Sequence, residues 1–186
     1  MHNQRTNRFR MLIVSALFAA IIGILAQVTI PLPYVPITGQ TLAVGLAATI
    51  LGSRYGTLSV IIYVLLGAIG APVYSGFSGG LGVLIGPTGG YLFGFIPTAF
   101  LIGLLMEKTR FTLWNALIAN ILGTFLTLVI GTTFLKYAAS LSWEAAFLSG
   151  FLPFTIVGFI KSALAAWIGV KVREGLVRAK MITQSV

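Results

Sequence analysis

Lys161 is the side chain with the most chemistry to offer. It lies well within a long apolar segment, 150–170, where an ammonium costs about 2.5–3.5 kcal/mol on insertion scales. A buried carboxylate is the usual remedy. The chain has no Asp and only three acids, Glu107, Glu144 and Glu174. Glu107 and Glu174 flank apolar segments, and Glu144 falls in a connecting stretch, so no membrane-embedded acid is available. Four readings stay open: an anionic ligand supplies the missing charge, carbonyls of a glycine-rich stretch accept the ammonium, the lysine snorkels to an interface, or a depressed pKa leaves a neutral amine.

That glycine-rich stretch is residues 74–91, YSGFSGGLGVLIGPTGGY. Each glycine inside a helix costs roughly 1 kcal/mol relative to alanine, so an ordinary helix does not form over it. Yet it is neither charged nor hydrophilic: Leu81, Val83, Leu84 and Ile85 alternate with the glycines. It reads either as a plain connector between helices or as a loop that lids or lines a small-molecule site. Its bare backbone groups need partners, and glycine permits the close approach of a ligand. The motif GPTGG within it lacks the Lys-Ser/Thr and the strand-to-helix setting of a phosphate loop, so no ATP site is expected.

Other chemistry is scarce. Cysteine is absent and the single histidine is His2, in the N-terminal tail. No metal site, no cofactor and no catalytic nucleophile–base pair is expected, so an enzyme is disfavoured. Without ATP-binding residues or membrane carboxylates, active transport would need a partner that supplies the energy.

The elements that position these residues are membrane helices. Of 186 residues 58% are hydrophobic and 8% charged, with mean hydropathy +1.02; a soluble domain carries about 25% charged residues. The net charge of +9 flanks apolar segments, which argues against nucleic-acid binding. Six spans are predicted, at 11–28, 41–52, 55–70, 90–106, 113–138 and 150–170, forming one membrane domain over 1–186. The second is short for a crossing, and Pro97 is placed as a kink in the fourth. The first span reads as a retained helix and not a leader. Ala16 and Ala20 form a small-xxx-small pair there, with Gly23 on the same face, suited to another subunit or to internal packing. Asn120, Thr124, Thr127 and Gly131 make a stripe too polar for lipid, pointing inward. Pro31, Pro33 and Pro36 stop any helix before Gln40.

Six spans put both termini on one side. Arg5, Arg8, Arg10, Arg54, Lys108, Arg110, Lys171, Arg173, Arg178 and Lys180 then share that side, 10 of the 12 basic residues. The positive-inside rule makes it cytoplasmic. The glycine loop, Gln40 and Glu144 face outward.

The patterns VPITGQT at 35–41, LGxxxG at 51–56, GAPVY at 70–74 and FSGGLGVLIGPTGGYLFGF at 77–95 resemble BioY, the biotin-specific S component of energy-coupling factor (ECF) transporters. The resemblance covers nearly the whole chain. It implies an all-α bundle of six transmembrane helices in the cell membrane that captures biotin from outside. It also implies partners: a transmembrane coupling subunit, docking on the Ala16/Ala20 face, and two ABC-type ATPases. Carried over residue by residue, the biotin site would involve Gln40, Gly79, Gly80, Thr88, Gly89, Gly90, Tyr91 and Lys161. Many relatives carry Asp three residues before the lysine, where this chain has Gly158. Biotin's chemistry suits the composition: Tyr74, Phe77, Tyr91 and Phe93 as apolar walls, backbone groups and Gln40 toward the ureido ring, and Lys161 toward the carboxylate or the ureido oxygen. The rival readings are an S component for another small vitamin and a passive or purely structural membrane subunit.

Overall fold

The computed structural model describes residues 2–179. Lys180, one of the basic residues assigned to the cytoplasmic side, lies outside the described residues, as do the side chains of His2 and Arg5. The chain order is α1 His2–Leu25, a two-residue strand β1 Thr29–Ile30, β2 Ile37–Thr38, α2 Gln40–Ala68, a 3-10 turn Ser75–Phe77, α3 Leu81–Ile85, α4 Gly89–Lys108, α5 Leu113–Ala138, α6 Trp143–Ala146, and α7 Leu152–Arg178, which follows a π turn. Among the described residues, five helical stretches are long and apolar enough to cross a membrane: Asn7–Leu25, Gln40–Ala68, Gly89–Lys108, Leu113–Ala138 and Trp143–Arg178.

Several boundaries differ from the sequence reading. The basic N-terminal tail is helical, because a helix nucleated by the apolar segment propagates at little cost. The proline-rich connection is not irregular throughout: β1 and β2 pair antiparallel, Thr29 with Thr38 and Ile30 with Ile37. The connection between the predicted spans 113–138 and 150–170 turns helical from Trp143, and α4 continues past Pro97.

The predicted second and third helices form one run, α2, broken at Gly52 by φ 80 and ψ −174. Only glycine occupies that region readily. The two arms, 40–51 and 53–68, fold back on each other. The Gln40 side-chain amide donates to the Tyr63 hydroxyl; a straight helix would hold those residues about 34 Å apart.

The tip of this hairpin is capped from two neighbouring helices. Glu107, near the end of α4, accepts from the Ser53 N–H and the Ser53 hydroxyl, each at 2.7 Å. It thereby satisfies the exposed donor end of the second arm. Arg173 of α7 donates to the Ile50 carbonyl at 3.2 Å, at the acceptor end of the first arm. An acid at a helix start and a base at a helix end each match the local dipole. Arg173 is 8% exposed and stacks on Phe111, with 4.7 Å from guanidinium carbon to ring centre. From sequence alone it reads as a simple flanking charge.

Around the hairpin, α4 and α5 pack tightly, and α7 closes the other side. The expected polar stripe of α5 does point inward. Asn120 donates to the Thr49 hydroxyl at 3.0 Å, Thr127 meets the Thr98 hydroxyl at 2.7 Å, and Thr124 meets the Ser162 hydroxyl at 3.0 Å. The stripe of small residues on α1 is split. Gly23 packs against Val73, while Ala16 and Ala20 are exposed on the outer face. The inner face of α1 is instead Ser15, Ala19 and Ile22, all buried, as is Ala26 just beyond its end.

Candidate functional site

A cavity of about 210 Å³ lies among the start of α2, the glycine-rich loop, α4, α5 and α7. Its position follows from the hairpin. Folding α2 back brings its N-terminal end, with the β1–β2 connection, beside the loop that leaves its C-terminal end. Val35, Pro36 and Thr38 form one wall, and Tyr74, Ser75 and Ser78 another. The α4 side is Thr88, Tyr91, Leu92 and Phe95, a helical i, i+3, i+4 set. Thr124, Thr127 and Leu128 of α5 form the floor, and Phe154, Gly158 and Lys161 of α7 complete the ring.

Lys161 contributes a cation to this wall. Its ammonium donates to the Thr38 carbonyl at 2.6 Å and to the Thr41 hydroxyl at 3.2 Å. The acceptors belong to the end of β2 and the first turn of α2, not to the glycine loop. An ammonium has three donors, so one N–H remains for a guest. No carboxylate among the described residues pairs with it: Glu107 caps the hairpin tip, and Glu174 lies 3.9 Å from Arg178.

The Gln40 side-chain oxygen accepts from the Thr38 hydroxyl at 2.7 Å. Its amide nitrogen reaches Tyr63 and keeps one further N–H. Tyr63 stands edge-on to Tyr74, with ring centres 5.6 Å apart. Tyr74 is buried and its hydroxyl donates to the Val64 carbonyl at 2.6 Å. Burial pushes its phenol up to about 12, so it stays a neutral donor at physiological pH. Tyr91 lays its ring on the cavity 5.9 Å from that of Phe154 and donates its hydroxyl to the Gly150 carbonyl at 2.7 Å. Close contact with Gly131, where any side chain would collide with the ring, sets that pose.

Of the site residues expected from sequence, Gln40, Tyr74, Thr88, Tyr91 and Lys161 lie together on the cavity wall. Gly79, Gly80, Gly89 and Gly90 do not line it. Gly79 rests on the Ala71 backbone and Gly80 starts α3 with φ 93. Gly89 abuts the Leu84 backbone and Gly90 the Phe134 ring. They shape the loop. The expected walls Phe77 and Phe93 are 72% and 44% exposed. Phe95 takes the inward place because it falls on the Tyr91 face of α4, and Phe93 lies about 200° round the helix from it. Thr38, Thr41, Thr124 and Gly158 line the cavity without having been singled out for it. No group of His, Cys, Asp and Glu that could hold a metal occurs among the described residues.

The BioY family model matches residues 1–178. The biotin transporter BioY2 of Lactococcus lactis is 42% identical over 173 residues, covering 93% of this chain and 94% of that protein. The biotin transporter BioY of Thermotoga maritima is 44% identical over 165 residues, covering 89% and 96%. A crystal structure of the S component for biotin from an ECF-type ABC transporter superposes with a TM-score of 0.84 at 31% identity, covering 94% of each chain.

Proposed function

From the premise that this chain belongs to the BioY family, we propose that it is the biotin-binding S component of an ECF-type vitamin uptake transporter. The observation that carries this is a cavity, apolar on most sides, with one lysine donor in its wall and no protein carboxylate opposite. Such a pocket suits a small guest with an apolar ring and a polar head or tail. Lys161 offers its free N–H to an oxygen of biotin, and Gln40 offers its remaining amide N–H. Tyr91, Phe95 and Phe154 enclose the apolar part. Gly158 packs closely against Thr124 on the same wall.

The α2 hairpin supplies two crossings, which makes six with α1, α4, α5 and α7. Both termini are then cytoplasmic, as the basic residues at the hairpin-tip end support, and the cavity opens outward. No catalytic step or cofactor belongs to this reading. The test is mass spectrometry of the purified protein: biotin is expected to co-purify, and a different small vitamin in its place would overturn the assignment.

Energy comes from partners, a transmembrane coupling subunit and two ABC-type ATPases. The exposed Ala16 and Ala20 face of α1 is the docking surface in this reading, flat enough for another helix to approach closely. Ala16→Trp is expected to leave biotin affinity within twofold while abolishing co-purification of the coupling subunit. Intact assembly in the variant would remove α1 from the interface.

A further inference from the structure

One side chain outside the cavity holds a cavity wall in place. Gln27 sits two residues beyond the last residue of α1. Its Nε2 donates to the Gly23 carbonyl and to the Tyr74 carbonyl, both at 3.0 Å. Its Oε1 accepts the Phe77 N–H at 2.9 Å. A single amide thus fastens both ends of the 3-10 turn Ser75–Phe77 to α1. Beside it the Thr29 and Ser75 hydroxyls lie 3.3 Å apart.

The fastened turn is not relaxed. Gly76 has φ 68 and Phe77 has φ 55. A phenylalanine in the left-handed region carries a backbone cost. Its ring is 72% exposed, so packing within the protein does not offset that cost. The hydrogen bond to Gln27 holds it. The same segment presents Tyr74, Ser75 and Ser78 to the cavity. Tyr74 is also anchored to α2 through Val64, so loss of the Gln27 contacts frees 75–78 without releasing the whole loop.

We propose that Gln27 is a latch: a positioning residue that keeps the 75–78 wall closed against α1 and thereby sets how long a ligand stays. This rests on the cavity being the biotin site. It also ties that wall to the helix whose outer face carries Ala16 and Ala20. A latch slows entry and exit alike. Opening it raises both rate constants and changes the equilibrium constant little, whereas a damaged wall raises the exit rate alone.

The test uses the full-length protein in detergent with radiolabelled biotin, following association and dissociation separately. Gln27→Ala is expected to raise both rates about tenfold, the effect of losing one or two hydrogen bonds. A covalent substitute checks the mechanism. The chain has no cysteine, and Thr29 and Ser75, whose hydroxyls lie 3.3 Å apart, face each other across the fastened turn closely enough for a disulfide. In a Thr29→Cys/Ser75→Cys/Gln27→Ala variant, oxidation is expected to return both rates to wild-type values or below, and reductant to reverse this. If Gln27→Ala does not fold, the same cysteine pair in the wild-type background must slow both rates on oxidation. Unchanged rates, a rise in dissociation alone, or a disulfide without effect overturns the latch. Wild-type protein that binds no biotin overturns the transport reading, and the latch with it.

Discussion

Lys161→Met is expected to weaken biotin binding by about 10- to 100-fold, the worth of one charge-assisted hydrogen bond in a site shielded from water. Methionine keeps most of the apolar stem and removes only the donor. The protein should remain folded, because the acceptors it abandons, the Thr38 carbonyl and the Thr41 hydroxyl, border the cavity and can be hydrated there. Titration calorimetry reads the affinity, and the melting temperature reports the fold. Repeating the titration with biotin amide shows which oxygen the lysine meets. A carboxylate contact makes the amide a weaker ligand of the wild type and insensitive to the substitution. A ureido contact makes both ligands lose equally. An affinity unchanged for both removes Lys161 from the site.

Gly52→Ala is expected to cost about 3 kcal/mol or more, lowering the thermal midpoint by roughly 6–12 °C. Two effects combine. The backbone at φ 80 and ψ −174 excludes a Cβ, and the new methyl would collide with the Glu107 carboxylate that caps Ser53. In a Glu107→Ala background the collision is gone and only the backbone strain remains. The same glycine substitution should then cost at least 1 kcal/mol less, a non-additivity that a double-mutant cycle measures. Additive costs would show that Glu107 and the hairpin tip act independently.

The molecule was unevenly legible from its sequence. Lys161 stood out because a cation inside an apolar segment demands an explanation wherever the segment sits. The inward stripe of α5 was visible for the same reason, since Asn120 and Thr127 are out of place against lipid. The aromatic walls were not readable. A helix apolar all round has no amphipathic period, so nothing in the residue string says whether Phe93 or Phe95 faces inward. Arg173 read as an ordinary flanking charge, since its acceptor lies 123 residues away on the hairpin. Gln27 gave no signal at all: a glutamine at the end of a span is unremarkable until the chain brings Phe77 to it. The hairpin itself was half seen. Short length and Arg54 separated two helices at the right place, but not the direct turn at Gly52.

That turn also reaches beyond the protein. With rises of 1.5 Å per residue, the arms 40–51 and 53–68 are about 18 and 24 Å long, against a hydrocarbon layer of about 30 Å. In the six-crossing reading the first arm is buried within the bundle, and lipids bordering the second arm at the exposed Leu65 and Leu66 must compress to meet it, at fractions of a kcal/mol per ångström. Acyl-chain length thereby becomes a control on this protein's stability, and reconstitution into thin bilayers favours its folded form.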